Sequence, residues 1–490
     1  MGGAFYMKLK DYEFGFADAT KELTRTPRIF DIAFCDTRNI VDNLLHSYPF
    51  ILIGRKGVGK SAYSSKIQYM SRNNDIVTIP MNLSDFEFST FQKTGIDSDI
   101  SGTQKYKISW DFILLLAIYR SIFNRLQITE VEKVNNIIYL LDRLGFSLDD
   151  EYKADVTKLS KLKVGFGVGI AEVDAEFKKE FNTIPATYLE RLSILVDKML
   201  AVLNDVYLNN KEIIIIIDGL DDILRYKKNK MEIIASLIRS ADYINDKLQA
   251  IGKEIKTIIL IREDIISMVN DPDLNKIVQD GAISLSWNNR LDELKQLVDL
   301  RFSLTVGTEM CTKCWDNIFP PKIRGKSSWL YMLEYTLYKP RDVLQFLKYC
   351  QKEYPENEKL SLSEFQNVLK VYSNKYFIEE MKNELAGFID DEIVIAIPTV
   401  FRKLGGRGFE ISEICRLFEE QLGKKKSDVD TIKALLMYLF EAGYIGQLVS
   451  NGRDNKQSVI FKYRNPTARI DYYQKFITHK GLHSGLGVRL

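Results

Sequence analysis

The chain has 490 residues, 46% of them hydrophobic and 27% charged, with a formal net charge of +2. That length and composition predict two to four domains of an ordinary globular protein with a large apolar core. The small net charge excludes a chain that binds nucleic acid through its overall field, while leaving room for one basic segment.

The opening MGGAFYMKLKDYEF has no apolar h-region, and Tyr6 stands where a myristoylation signal needs Ser or Thr. Neither export nor lipidation is expected. Cys35, Cys311, Cys314, Cys350 and Cys415 form no regular framework, so a reducing, cytoplasmic setting is expected. Cys311 and Cys314 make a lone CxxC far from His46, His479 and His483, and they read as ordinary helix cysteines rather than a metal or redox pair.

In chain order, PFILIG (49–54) is the first apolar strand, followed by GRKGVGKS (54–61) and the helical run AYSSKIQYM. Gly54, Gly59, Lys60 and Ser61 satisfy GxxxxGK[ST] in full, between strand and helix as that phosphate loop requires. Glycines let successive N–H groups face the phosphates, and the helix N-terminus adds positive potential. Lys60 reaches the β- and γ-phosphates, and Ser61 ligates Mg²⁺. The candidate nucleotide-binding residues are thus Gly54, Arg55, Lys56, Gly57, Val58, Gly59, Lys60, Ser61 and Ala62.

DIVTIPMN (75–82) is the second strand. A long insertion, about 85–210, follows, with helices of its own. In it FILLLAIY (112–119), flanked by Asp111 and Arg120, reads as a buried helix too short to span a membrane, and KVGFGVGIAEVDAEFKKEF (163–181) as a hairpin. EIIIIID (212–218) then carries Asp218 to the carboxyl end of a central strand, where it can orient Mg²⁺. Asp221 and Asp222 either position the attacking water or cap the next helix. KTIILI (256–261) leads to Arg262, which either senses the γ-phosphate or pairs with Asp264. AISLSW (282–287) is the last strand. Apolar runs without alternation, separated by helices, predict an α/β fold with a parallel sheet over 1–287.

Helices alone are expected over 288–390, a lid domain in which KPRD sets Arg341 at a helix start. There the guanidinium either reaches over the nucleotide or pairs with Asp342. Over 391–490, IVIAIPTVFRKL, ISEICRLFEEQL and DVDTIKALLMYLFEAGY precede YIGQLV, the turn SNGRDNK and SVIFKY, the pattern of a winged helix. Residues 393–490 hold 16 Lys and Arg against 9 Asp and Glu. Lys424, Lys425, Lys426, Arg453 and Lys456 would meet DNA phosphates, or be merely solvated if the module packs on protein. The apolar third helix argues against sequence-specific reading. Residues 465–490 are expected to dock on a partner or fray.

No NKxD or TKxD triplet follows the third strand, which favours ATP over GTP, and no LSGGQ signature is present. The succession GRKGVGKS, IIIIIDGLDD, IILIRED, KPRD and a terminal winged helix resembles the STAND and AAA+ P-loop ATPases. More narrowly it resembles bacterial P-loop ATPases with a GRKGxGKSA loop and an IDGLDD motif, many of them in or near anti-phage defence loci. Origin-recognition ATPases have a similar domain plan. The resemblance implies ATP and Mg²⁺ as ligands, Asp221 or Asp222 as the hydrolytic acid and Arg341 as a sensor. Typical AAA+ proteins carry Glu directly after the strand aspartate, where this chain has Gly219, and that departure implies slow hydrolysis. The leading expectation is a nucleotide-dependent switch controlling a partner protein (effector or sensor) or an assembly, with homo-oligomers allowed and no membrane role. The alternatives are an ATP-dependent DNA loader or initiator and, from another class, a small-molecule kinase.

Overall fold

The computed structural model describes residues 7–488 apart from 74, 85, 87, 93–105, 127–131, 148–154, 156–157, 160–187, 221–230, 270, 308–310, 424–427 and 451–456. Contacts group the chain into two units.

One unit holds Arg38–Arg55 and Lys60–Leu285. Its centre is a five-stranded sheet of β1 (Ile51–Gly54), β2 (Ile76–Asn82), β3 (Glu212–Asp218), β4 (Ile255–Arg262) and β5 (Ala282–Leu285). The order is β2-β3-β4-β1-β5, and every pairing is parallel. Ile213 to Ile217 are all buried, as a strand covered on both faces must be, and each contributes about 1.5–3 kcal/mol of burial. Helices α1 (Lys60–Met70), α2 (Lys107–Asn124), α3 (Tyr188–Leu203) and α4 (Met231–Ala250) belong to the same unit. The 112–119 run lies within α2 and is buried as expected. Trp110 Nε1 donates to Ile233 O at 3.1 Å and Tyr119 OH to Met199 O at 2.8 Å, so the ring polar atoms that enter the core are satisfied. The hairpin expected at 163–181 lies outside the described residues.

Register brings the carboxyl ends of the strands together. Gly54 aligns with Arg262 and Asn82 with Asp218. Because β4 lies between β1 and β3, Arg262 stands level with the start of the phosphate loop.

The second unit holds Met1–Thr37, Lys56–Gly59 and Ser286–Leu490. The N-terminal segment groups here rather than with the sheet because its apolar and charged anchors are here. Tyr12 and Phe14 each meet the Phe302 ring edge-on at 5.3 Å, and buried Glu22 pairs with buried Arg301. The helices of this unit include α5 (Leu291–Val306), α6 (Pro340–Glu353), α7 (Leu362–Tyr372) and α8 (Ile378–Leu385), with a π-helical turn over Ser373–Phe377. The expectation of helices alone over 288–390 is corrected by a short antiparallel hairpin of Lys322–Ile323 with Lys326–Ser327. Trp315, Phe319, Phe346 and Phe365 form an aromatic core for this part.

Helices α9 (Asp391–Leu404), α10 (Ile411–Leu422) and α11 (Val429–Ala442) follow, then β6 (Ile445–Ser450) and β7 (Gln457–Ile460). The predicted basic positions Lys424, Lys425, Lys426, Arg453 and Lys456 lie outside the described residues. The C-terminal segment, expected to dock on a partner or fray, includes regular structure in its described part. It forms β8 (Lys475–Thr478), which pairs antiparallel with β6, and α12 (Lys480–Leu486). Ser373 Oγ donates to Gly481 O and accepts from Gly485 N at 2.8 Å, fixing α12 on the π-helical turn. A Cβ on Gly481 would come within 2.7 Å of the Phe377 ring, so only glycine permits this approach. Among the described residues no helix is long and apolar enough to cross a membrane.

Candidate nucleotide site

The strand–loop–helix context expected for the phosphate loop is present: β1 ends at Gly54 and α1 begins at Lys60. Gly57 and Gly59 have φ of +80° and +105°, conformations that side chains resist and that turn loop N–H groups to one side. Lys60 is buried, with Nζ donating to Gly54 O at 2.9 Å and Arg55 O at 3.2 Å. Its ammonium is therefore held over the loop by the loop's own carbonyls. Ser61, in the first turn of α1, donates from Oγ to Asp218 Oδ2 at 2.8 Å. The two residues predicted from sequence to address Mg²⁺ are thus in direct contact.

Asp218 Oδ1 accepts from Gly219 N at 2.7 Å. Gly219 has φ +81°, and a Cβ there would lie 2.6 Å from Ser84 Oγ, 2.8 Å from Ser84 N and closer still to Asn82 Oδ1. Asn82 Oδ1 in turn accepts from Ser84 N at 3.0 Å and Ser84 Oγ at 2.8 Å. The β2 end thus crowds the position after the strand aspartate, which explains physically why Gly stands there. Asp221 and Asp222 lie outside the described residues. Arg262 donates to Asp264 from Nε at 2.9 Å and again from Nη2, so of the two readings offered by the sequence the ion pair is the one formed. A phosphate would have to compete with that bidentate pair.

Lys56–Gly59, the tip of the loop, has its neighbours in the second unit. Trp287 Nε1 donates to Val58 O at 2.9 Å, and Val58 is buried. Glu384, only 6% exposed, faces both Lys56 Nζ and Lys339 Nζ at 3.9 Å. A Cβ on Gly57 would meet Lys339 Cδ at 3.3 Å and the Arg341 side chain at 3.9 Å. The Arg341–Asp342 pair considered from sequence is not formed. Asp342 is buried and accepts from Leu337 N at 2.8 Å and Tyr376 OH at 3.0 Å. Burial pushes its carboxyl above the usual carboxylate range, against the opposing pull of Lys339. Among the described residues the Arg341 guanidinium makes no hydrogen bond or ion pair, so it is available to an anion.

Comparison with known proteins adds a partial match. A family model described as FunZ-associated C-terminal helical domain matches residues 292–379, from α5 into α8. The chain is 19% identical over 495 aligned residues to a transposon gamma-delta 80.3 kDa protein of Escherichia coli (strain K12), covering 96% of this chain and 67% of that one. Among solved structures, the Aeropyrum pernix ORC2 protein is similar in its ADPNP–ADP complexes (TM-score 0.44, 10% identity, 94% of this chain and 95% of that one). Its ADP form is similar at TM-score 0.32 and 12% identity, covering 94% of each chain.

The donor set fits Mg²⁺. This ion takes hard oxygen ligands, commonly one or two carboxylates with water and substrate phosphates, and a hydroxyl beside one carboxylate supplies that. Among the described residues no group of three or more His, Cys, Asp or Glu could hold a metal by itself, so Ser61 and Asp218 would need the nucleotide's own oxygens. Asn82, Ser84, Trp287 and Glu384 escaped the sequence reading because none of the motifs read there contains them, and Lys339, the first residue of KPRD, was passed over in favour of Arg341. Only the position of Asn82 at the end of a predicted strand hinted at a place near Asp218.

Proposed function

We propose that this chain binds Mg·ATP and hydrolyses it slowly, as a nucleotide-dependent switch. The Ser61–Asp218 contact beneath the buried Lys60 carries this reading, because it joins the two Mg²⁺ groups of a phosphate loop from distant parts of the sequence. Lys56–Gly59 N–H groups and Lys60 would hold the phosphates, Ser61 and Asp218 the ion, and Arg341 the developing charge on the γ-phosphate. Mg²⁺, when bound, neutralises charge on the β- and γ-oxygens. Hydrolysis is slow in this reading because Gly219 offers no carboxylate where typical AAA+ ATPases have one, leaving Asp221 or Asp222 to position water. The switch would act on a partner protein or a homo-oligomeric assembly, in the setting of bacterial anti-phage defence that the sequence resemblance implies. The test is calorimetric titration of the full chain with ATP and Mg²⁺, followed by phosphate release without any added acceptor. Wild-type ATP affinity in Lys60→Ala would refute the site; phosphate appearing only with an added acceptor would make the chain a kinase instead.

A second reading, an ATP-dependent DNA loader or initiator of the AAA+ kind, is favoured by one observation: the basic excess is concentrated in 393–490. The three helices followed by β6 and β7 would then act as a winged helix on duplex DNA. It requires ATP-modulated DNA binding that weakens steeply with salt. No retention of duplex DNA at low salt would reject it.

A further inference from the structure

Tyr338 has φ +57°, a left-handed backbone conformation that a bulky side chain adopts only when its surroundings impose it. It immediately precedes Lys339, Pro340 and Arg341 at the start of α6, of which Lys339 and Arg341 approach Gly57. What imposes it is visible on both sides. Behind it, Leu337 N is held by buried Asp342, and Tyr338 N donates to Thr336 Oγ1 at 3.3 Å. In front, the Tyr338 ring meets Tyr463 edge-on at 5.1 Å and faces the Arg464 guanidinium, 5.3 Å from the ring centroid. The same guanidinium lies over Tyr463 and Phe461 at 5.2 and 5.4 Å, and its Nε donates to Tyr463 OH at 2.9 Å. Tyr463 OH is also bonded to His479 Nε2 at 3.0 Å, and His479 Nδ1 accepts from Gly481 N at 3.0 Å. The imidazole therefore carries its proton on Nε2, and Tyr463 is tied to the segment that leads from β8 into α12.

We infer that Tyr338 and Arg464 are positioning residues: their contact sets Lys339 and Arg341 on the phosphate loop and couples the nucleotide to the C-terminal module. The inference rests on the nucleotide reading above. A triphosphate that draws Arg341 toward Gly57 pulls on a strained residue clamped by Arg464, so movement at one end displaces the other. The reverse holds by linkage: release of Arg464 loosens Arg341 and lowers the preference for triphosphate over diphosphate.

The test is a double-mutant cycle on the full chain, measuring affinity for ADP and for a slowly hydrolysed ATP analogue. Arg464→Ala and Arg341→Ala should each lower the triphosphate preference roughly fivefold or more. The double variant should lose no more than the worse single, because both remove one linkage. Tyr338→Gly, which keeps the positive φ without strain or ring, should reproduce Arg464→Ala, and Arg464→Lys should restore part of the preference. Unchanged preference in Arg464→Ala, or additive losses in the double variant, overturns the inference. Lys60→Ala in the same series separates the two levels. If it alone loses nucleotide, the coupling is wrong and the site stands; if it binds like wild type, the site and the inference fall together.

Discussion

Ser61 Oγ donates to Asp218 Oδ2 at 2.8 Å across 157 residues of sequence. The contact exists because parallel pairing aligns strand ends: Asp218 closes β3, and Ser61 lies in the first turn of α1, just past the loop that follows β1, two strands away. Replacing Asp218 by Asn removes the charge an ion needs and leaves one acceptor oxygen for the two groups, Ser61 Oγ and Gly219 N, that Asp218 now accepts from. Losing one of those bonds should cost about 1–3 kcal/mol of stability. ATP affinity in Mg²⁺ should drop to the level seen with chelator. An unchanged Mg²⁺ response would remove Asp218 from the metal role.

Lys60 donates to Gly54 O and Arg55 O in a buried setting. Alanine there deletes the ammonium that these two carbonyls hold. Charge-assisted bonds of this kind are worth about 1.5–3 kcal/mol, so ATP affinity should fall roughly ten- to hundredfold or more, measured by calorimetry.

Gly219 is required by both space and backbone angle. Gly219→Ala should destabilise the fold by about 1–3 kcal/mol in urea denaturation, through the positive φ and the clash with Asn82 and Ser84. Gly219→Glu, although it restores the typical AAA+ residue, should destabilise at least as much and raise no phosphate release. Faster hydrolysis with an intact fold would show that Gly219 is a catalytic choice rather than a steric one.

His483 is buried with Nε2 bonded to Thr478 Oγ1 at 2.8 Å, and burial holds its imidazole below the ordinary value of 6.5. The unfolded chain takes up the proton near that value and the folded ring only at lower pH. Stability is therefore unaffected above it and declines as pH falls below it. The protection of amides in 475–488, relative to their intrinsic exchange at the same pH, should fall as pH drops from about 6.5 to about 5.5, and His483→Gln should flatten that dependence. Equal slopes in the two proteins would count against it.

The sheet and the loop were legible in sequence because their signals are local. Ile213–Ile217 can only be a strand buried on both faces, and GRKGVGKS between strand and helix has one mechanical use. Arg262 and Arg341 were legible as positions but not as roles. Each had a carboxylate one or two residues away, and the choice between pairing and freedom depends on where the chain turns. In the fold, Asp264 takes Arg262, whereas Leu337 N and Tyr376 take Asp342, and among the described residues no carboxylate pairs with Arg341.

By itself, then, the sequence determined that this protein has a GxxxxGK[ST] loop after a strand of a parallel sheet, with Asp218 at a strand end and a helical and mixed C-terminal half. Tertiary structure alone decided that Gly219 is forced by Asn82 and Ser84, that Lys339 and Glu384 belong beside Lys56, and that the last residues close onto Ser373. Motifs and periodicity encode what a segment does with its own neighbours. Packing between segments hundreds of residues apart depends on side-chain shapes meeting in space, and no short stretch of sequence carries that information.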